Sequence, residues 1–248
     1  MSLDGRGVIV TGATGGIGRA VVSELLRLQA RVIAVGRNEQ QLARLVDEHG
    51  EGMATVCADL GAAGAAAMVV DRAQTLTNRL SGLVNNAGLA RFDSLTDAST
   101  ADLVAMMTVN VVAPAELIRA ALPYLEANEG SVVNVSSVGG VLAMPGRSYY
   151  AASKAALNSL TRSLAIELAP RVRVNAILPG PVDSPMWSNM GLDAAGTEQL
   201  RAALSAATPM ARFGKPEDIA RWVAILLDPL VSGWVTGALV PVDGGRTA

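Results

Sequence analysis

Seven short runs rich in Val, Ile and Leu recur along the chain, at residues 8–10, 31–35, 54–56, 82–84, 131–135, 172–178 and 238–240. Between them apolar residues fall three or four apart, as in Val21, Leu25 and Leu28 or Leu157, Leu160, Leu164 and Leu168. That period is the buried stripe of an amphipathic helix. Strands apolar on both faces suit a parallel sheet covered by helices on each side. The alternation predicts the α/β class: a single doubly wound domain over residues 1–248, with a seven-stranded parallel sheet flanked by helices. No linker, repeat or block of charge divides it. The alanine-rich stretch 61–67 could pass for low-complexity sequence, but its continuation through Met68, Val69, Val70 and Leu76 predicts an ordinary helix.

The pattern breaks after residue 178. Pro179, Pro181 and Pro185, with Pro209 just beyond, and Gly180, Gly191 and Gly196 interrupt a stretch that also holds Met186, Trp187, Met190 and Leu192. Open α/β proteins carry ligand-binding insertions after their strands, so residues 181–208 read as a substrate lid; a surface Ω-loop packed on its own side chains is the alternative. A second irregularity follows the first strand, where Thr11-Gly12-Ala13-Thr14-Gly15-Gly16-Ile17-Gly18 precedes a helical stretch. The loop is neither G-x-G-x-x-G nor a Walker loop. Its glycines still supply what a diphosphate requires: a tight turn, close backbone approach and a helix N-terminus with open N–H groups.

Composition narrows the chemistry. The 248 residues include one histidine, His49, within an acidic stretch, and one cysteine, Cys57. These exclude a His-rich or Cys-cluster metal site and an intrachain disulfide. Cys57 follows an apolar run and is expected to be core packing. Aromatic residues are only 3% of the chain and alanine is abundant, so the core is expected to rest on small, closely packed side chains. A formal charge of −2 with scattered basic residues leaves no electrostatic footprint for nucleic acid. Asp4 and Arg6 interrupt any early apolar run, and no stretch reaches the ~18 apolar residues that span a bilayer. A cytoplasmic protein without a membrane partner is therefore expected.

Further motifs stand after the later strands: Asp59, Asn85-Asn86-Ala87-Gly88, Asn110, Ser137, Tyr150 with Lys154, and Pro179-Gly180 followed by Ser184. With residues 11–18, and in this order and spacing, they resemble the short-chain dehydrogenase/reductase family over essentially the whole chain. The resemblance implies a Rossmann-type sheet of strand order 3-2-1-4-5-6-7 that binds a nicotinamide dinucleotide. It implies a cofactor site built from Gly12, Thr14, Gly15, Gly16, Ile17 and Gly18 in the loop and from Asp59 and Leu60 at the adenine. Asn86, Ala87 and Gly88, with Asn85, are implied near the ribose, Tyr150 and Lys154 near the nicotinamide, and Pro179, Gly180, Val182 and Ser184 near its carboxamide. Asp59 also suits a helix N-cap. At the end of the second strand, Gly36-Arg37-Asn38 offers no carboxylate to the adenosine ribose, and Arg37 carries a guanidinium suited to a 2′-phosphate. NADP(H) is expected ahead of NAD(H); an exposed arginine at a helix start is the other reading.

Without a suitable histidine, the proton for carbonyl reduction falls to a tyrosine, a poor acid or base at neutral pH unless a cation favours the phenolate. Tyr150 and Lys154 stand four apart, on one helix face. Tyr149 falls on another face and reads as structural or pocket-lining. By resemblance Ser137 orients the substrate oxygen, and Asn110 bends its helix and holds a water linking Lys154 to solvent; a satisfied core amide is the alternative for Asn110. The expected activity is reversible NADPH-dependent reduction of a ketone, with no metal. Leu89, Phe92, Val138, Leu142, Met144, Tyr149, Met186, Trp187 and Met190 are expected to line an apolar substrate pocket, with Arg91 or Arg147 available to an anionic group. A 3-oxoacyl-(acyl-carrier-protein) reductase is the alternative, although the turn Asn128-Glu129-Gly130 lacks the expected base and leaves Arg171 to meet a carrier. A dinucleotide-binding regulator without chemistry is a more distant one. Helices expected at residues 102–122 and 148–168 are apolar on more than one face, and the resemblance implies that they pair across a two-fold axis. With a second interface near residues 234–242, the expected assembly is a homotetramer, or a dimer.

Overall fold

The computed structural model describes residues 3–50, 52–184 and 193–248. One parallel sheet contains β1 (Gly7–Thr11), β2 (Arg31–Gly36), β3 (Met53–Cys57), β4 (Leu80–Asn85), β5 (Ser131–Val135), β6 (Arg173–Pro179) and β7 (Leu239–Val242), in spatial order β3-β2-β1-β4-β5-β6-β7. Each expected run falls within a strand or overlaps one, and the order is that implied by the resemblance. The helices are α1 (Gly16–Arg27), α2 (Glu39–His49), α3 (Ala65–Leu76), α4 (Thr100–Met107), α5 (Ala113–Ala127), α6 (Ser148–Glu167), α7 (Ala194–Ala206), α8 (Pro216–Leu227) and the single turn α9 (Pro229–Ser232).

Strand period two divides the core into layers. Val8 and Val10 of β1 pack with Val21 and Leu25 of α1 and with Ile219 and Val223 of α8. Ile9, between them, packs in the opposite layer with Val69 and Val70 of α3 and Leu117 and Leu125 of α5. All five residues of β1 are buried, which is why its sequence shows no polar alternation. Cys57 departs from expectation: it ends β3, an edge strand of the sheet, and its side chain is exposed. Asp59 is likewise not a helix cap. Its Oδ1 accepts the Gly61 N–H at 3.0 Å, closing a turn before α3, whose N-cap is Gly64.

From α4 to α5 the helical run is continuous but not uniform, because residues Thr108–Val112 form a π turn. The whole run, Thr100–Ala127, is by length and composition apolar enough to cross a membrane, with a mean hydropathy of 1.5 over its most apolar window. No unbroken stretch of apolar residues of that length is present, since Asp102, Asn110, Glu116 and Arg119 interrupt the run. Its mean hydropathy is high because one face packs on the sheet through Ala113, Leu117, Ala121 and Leu125 while Val104 and Val112 make the outer face apolar as well. The strand order reverses between β1 and β4, which marks a crevice beyond their carboxyl ends, with β5 and β6 following in the sheet. Open α/β sheets bind ligands in that crevice.

Candidate active site

The loop after β1 is held from the β4 side. Thr11 Oγ1 donates to the Val84 carbonyl at 3.2 Å and accepts the Asn86 and Ala87 N–H groups, both at 3.0 Å. The Asn86 amide returns two bonds, to the carbonyls of Thr11 at 2.9 Å and Gly12 at 3.1 Å. Gly12 adopts φ +61°, and a Cβ on Gly18 would lie 2.1 Å from the Gly12 oxygen, so the chain can turn and enter α1 only without side chains there. α1 begins at Gly16 with Gly15 as N-cap, and no side chain occupies its first N–H groups. They remain open to an anion.

Two adjoining cavities follow from this arrangement. One, of about 250 Å³, is lined by Gly12, Thr14, Arg37, Asn38, Asp59, Leu60, Ala87 and Gly88. The other, of about 180 Å³, is lined by Ile17, Asn86, Gly88, Ser137, Tyr150, Lys154, Pro179, Gly180, Val182 and Ser184, among others. Gly88 and Leu89 border both. An elongated groove with an uncapped helix N-terminus and a glycine-lined floor fits an extended dinucleotide. Arg37 is exposed at its far end and makes no ion pair among the described residues, while Asn38 caps α2 by accepting the Gln41 N–H at 3.0 Å. Asn85 does not reach the groove, contrary to expectation: it is buried in β4 and donates at 2.9 Å to Asn134 of β5, which itself donates to Thr161 at 2.9 Å.

At the other end the side chains come from two elements, the segment after β5 and α6. Ser137 follows β5 in extended conformation and its Oγ accepts the Gly139 N–H at 3.0 Å. Tyr150 and Lys154 project from the first turns of α6, with the Lys154 Nζ 5.9 Å from the Tyr150 ring centroid. Lys154 donates to the Val135 carbonyl at 3.0 Å. Burial draws its ammonium down to about 8, because the charge has lost most of its hydration. Burial pushes the Tyr150 phenol up, with hydrogen bonding to Ser137 and the positive charge of Arg147 opposing. Arg147 brings a second positive charge to bear on Tyr150, one that the sequence did not single out for this role.

Asn110 sits in the π turn, fully buried, behind these groups. Its Oδ1 accepts the Leu89 N–H at 2.8 Å, and its Nδ2 donates to the Leu89 carbonyl and to Ser153 Oγ, each at 2.9 Å. Ser153 in turn donates to the Tyr150 carbonyl at 2.7 Å. Pro114, four residues after Asn110, has no N–H to give the Asn110 carbonyl. Ser153 and Pro114 were not singled out from the sequence. A serine inside Tyr-x-x-x-Lys and a proline four residues after a buried asparagine were the available signals.

Of the residues expected to line the substrate pocket, Leu89, Phe92, Val138 and Met144 do so; Leu142 and Tyr149 do not. Pro185, Met186, Trp187, Met190 and Leu192 lie outside the described residues. Arg91 pairs with Asp102 away from the cavity, whereas Arg147 lines it. Leu204 of α7 and Arg246 near the C-terminus complete the wall and were not anticipated.

Residues 12–247 match the model of the family described as enoyl-(acyl carrier protein) reductase. Among curated proteins, 2-(S)-hydroxypropyl-CoM dehydrogenase 3 of Xanthobacter autotrophicus is 37% identical, over 97% of this chain and 96% of its own. A 3-oxoacyl-(acyl-carrier-protein) reductase of Thermotoga maritima is 35% identical, over 99% of both chains. Among solved structures, a short-chain dehydrogenase/reductase of unknown function from Caenorhabditis elegans, solved with cofactor, superimposes with a TM-score of 0.92 at 29% identity, covering 98% of this chain and 96% of that one. The chain belongs to the short-chain dehydrogenase/reductase family. It is an oxidoreductase of the alcohol–carbonyl couple, in a family that takes a nicotinamide dinucleotide.

Proposed function

We propose that the protein reduces a ketone to the alcohol with NADPH, reversibly, using Tyr150 as the acid. The observation that carries this reading is the convergence of Tyr150, Lys154 and Ser137 on one cavity that meets the dinucleotide-shaped groove at Gly88. Bound in that groove, the dinucleotide supplies the hydride. The substrate oxygen is placed between the hydroxyls of Ser137 and Tyr150, and Tyr150 gives it a proton. Lys154, anchored on Val135, holds the nicotinamide ribose and stabilises the phenolate left behind. The Asn110 carbonyl, which Pro114 cannot engage, accepts a water through which Lys154 exchanges protons with solvent.

Arg37 supports the preference for the 2′-phosphorylated cofactor, since it faces the groove without a carboxylate partner among the described residues. The walls formed by Leu89, Phe92, Val138, Met144 and Leu204 support a substrate with an apolar body next to its carbonyl. The Thermotoga relative favours a second reading, reduction of a 3-oxoacyl thioester on a carrier protein. Arg171, the basic residue left to meet such a carrier, lies 4.0 Å from Glu126.

Purified protein should oxidise NADPH in the presence of simple ketones, and a 3-oxoacyl thioester in the same panel separates the two readings. Tyr150→Phe, folded and able to bind cofactor, is expected to lose about 100- to 10,000-fold in turnover. Near-normal turnover in that variant would remove Tyr150 from the chemistry.

A further inference from the structure

The charges of the catalytic cavity are all of one sign. Lys154, Arg147 and Arg246 line it, and among the described residues no aspartate or glutamate does. Lys154 is engaged by the Val135 carbonyl. Neither arginine carries the transferred proton, although the charge of Arg147 draws the Tyr150 phenol down, and neither has an ion-pair partner among the described residues. Residues 185–192, Pro-Met-Trp-Ser-Asn-Met-Gly-Leu, contain no carboxylate. The nearby acids are engaged elsewhere: Asp183 accepts from Arg201 at 3.1 Å, and Asp243 accepts from Gly245 and Thr247.

Arg147 is held in a defined place. Its guanidinium stacks over the Phe92 ring with 4.7 Å to the centroid, and Phe92 meets the Tyr150 ring edge-on at 5.6 Å. Arg246 approaches from the C-terminal segment, anchored by donating to the Ala207 carbonyl at 3.2 Å. Burial lowers the Arg147 guanidinium, and the charge of Arg246 lowers it further. A pair of half-buried like charges is unfavourable unless something of opposite charge comes between them.

We propose that Arg147 and Arg246 bind an oxyanion of the substrate, so that the physiological ketone carries a carboxylate, sulfonate or phosphate a few atoms from its carbonyl. This inference rests on the reductase reading above and narrows its substrate class. The apolar walls hold the connecting carbons, Tyr150 and Ser137 the carbonyl oxygen, and the guanidinium forks the anionic end. Arg147 thereby sets the distance between anion and carbonyl through Phe92.

The test compares 4-oxopentanoate, 3-oxobutane-1-sulfonate and 3-oxobutylphosphonate with the neutral ketone 2-hexanone, as kcat/KM, in the intact protein and in Arg147→Met and Arg246→Met. A preference of about 30-fold or more for at least one anionic ketone is expected, falling about tenfold or more in either variant. The anionic ketone with the highest value identifies the oxyanion. Should one variant fail to fold, as judged by its melting curve, the other carries the comparison, and Arg147→Lys asks whether the fork or the charge matters. Turnover of 2-hexanone as good as that of all three anions, or a preference that survives both substitutions, overturns the proposal and leaves the reductase reading standing. If no ketone is reduced, the reductase reading falls, and propane-1-sulfonate decides the site. Stabilisation of the intact protein that is lost in Arg246→Met supports an anion site, and equal melting temperatures with and without the sulfonate overturn it.

Discussion

Lys154 is a cation kept where water would be a better neighbour. It is almost fully buried and has one carbonyl for company, and its pKa falls to about 8. A lysine in the unfolded chain titrates near 10.4, so below pH 8 the folded state carries the full cost of the buried charge. Between about 8 and 10.4 the unfolded chain binds more protons than the folded one, and stability rises with pH. Lys154→Met is therefore expected to be more stable than the natural protein at pH 7, by up to roughly 3 kcal/mol, with the gap closing towards pH 10. Denaturant unfolding without added cofactor measures it; equal stability at pH 7 would mean that the charge is better solvated than its surroundings indicate. Tyr150 has the opposite sign. Its raised pKa keeps the phenol protonated through neutral pH, so ketone reduction should hold steady there and fall in alkali, while alcohol oxidation rises with pH. A pH–rate profile in both directions checks this. At the groove's other end, Arg37→Ala should lower the ratio of kcat/KM for NADPH over NADH by about tenfold or more. An unchanged ratio would make Arg37 the exposed helix-start residue it also resembles.

At the scale of elements, the π turn is where one proline decides the site's geometry. Across Thr108–Val112 the helix widens, and the Ala113 N–H reaches back five residues to the Thr108 carbonyl. Pro114 then leaves the Asn110 carbonyl without the donor an ordinary helix would supply. Pro114→Ala restores that N–H. The variant is expected to fold at least as stably, since a helix-breaking ring has been removed, and to turn over about tenfold more slowly because the carbonyl is no longer open to the proton path. Thermal melting and single-turnover rates separate these effects; unchanged turnover would detach Asn110 from proton exchange. The strands were legible as short continuous apolar runs, and most helices because apolar periodicity over ten or more residues is a collective signal. The placement of the motif around Gly12, Tyr150 and Lys154 was legible because backbone conformation and i, i+4 geometry are local. What escaped depended on contacts distant in sequence. Asn85 and Asn86 are neighbours of equal chemistry, and only pairing with β5 turns the first into the core and the second towards Gly12. Arg246 lies 96 residues beyond Tyr150 (246 − 150), and only the fold brings it to the cavity.

At the scale of the whole molecule, the described surface carries several large apolar side chains. Trp234 is fully exposed, Leu230 is 89% exposed and Ile166 of α6 is 83% exposed. Val104 and Val112 add a second apolar area along the outer face of α4–α5. Isolated apolar side chains on a surface are ordinary, but clusters on long helices and at the end of a sheet mark association. Two separate self-complementary patches, each closing on a two-fold axis, give a tetramer of dihedral symmetry. We propose that one patch is the α4–α5 and α6 face and that the other surrounds Trp234 beside β7, the edge opposite β3. Each large side chain buried there contributes about 1.5–3 kcal/mol, and symmetry repeats each contribution on both sides of an interface. The expected assembly in solution is therefore a homotetramer. Ile166→Glu and Trp234→Glu should each stop assembly at a dimer, and the two together should leave a folded monomer. Sedimentation velocity at micromolar concentration measures all three. A natural protein that sediments as a monomer sinks the assignment, and a tetramer that survives both substitutions moves the interfaces elsewhere on the surface.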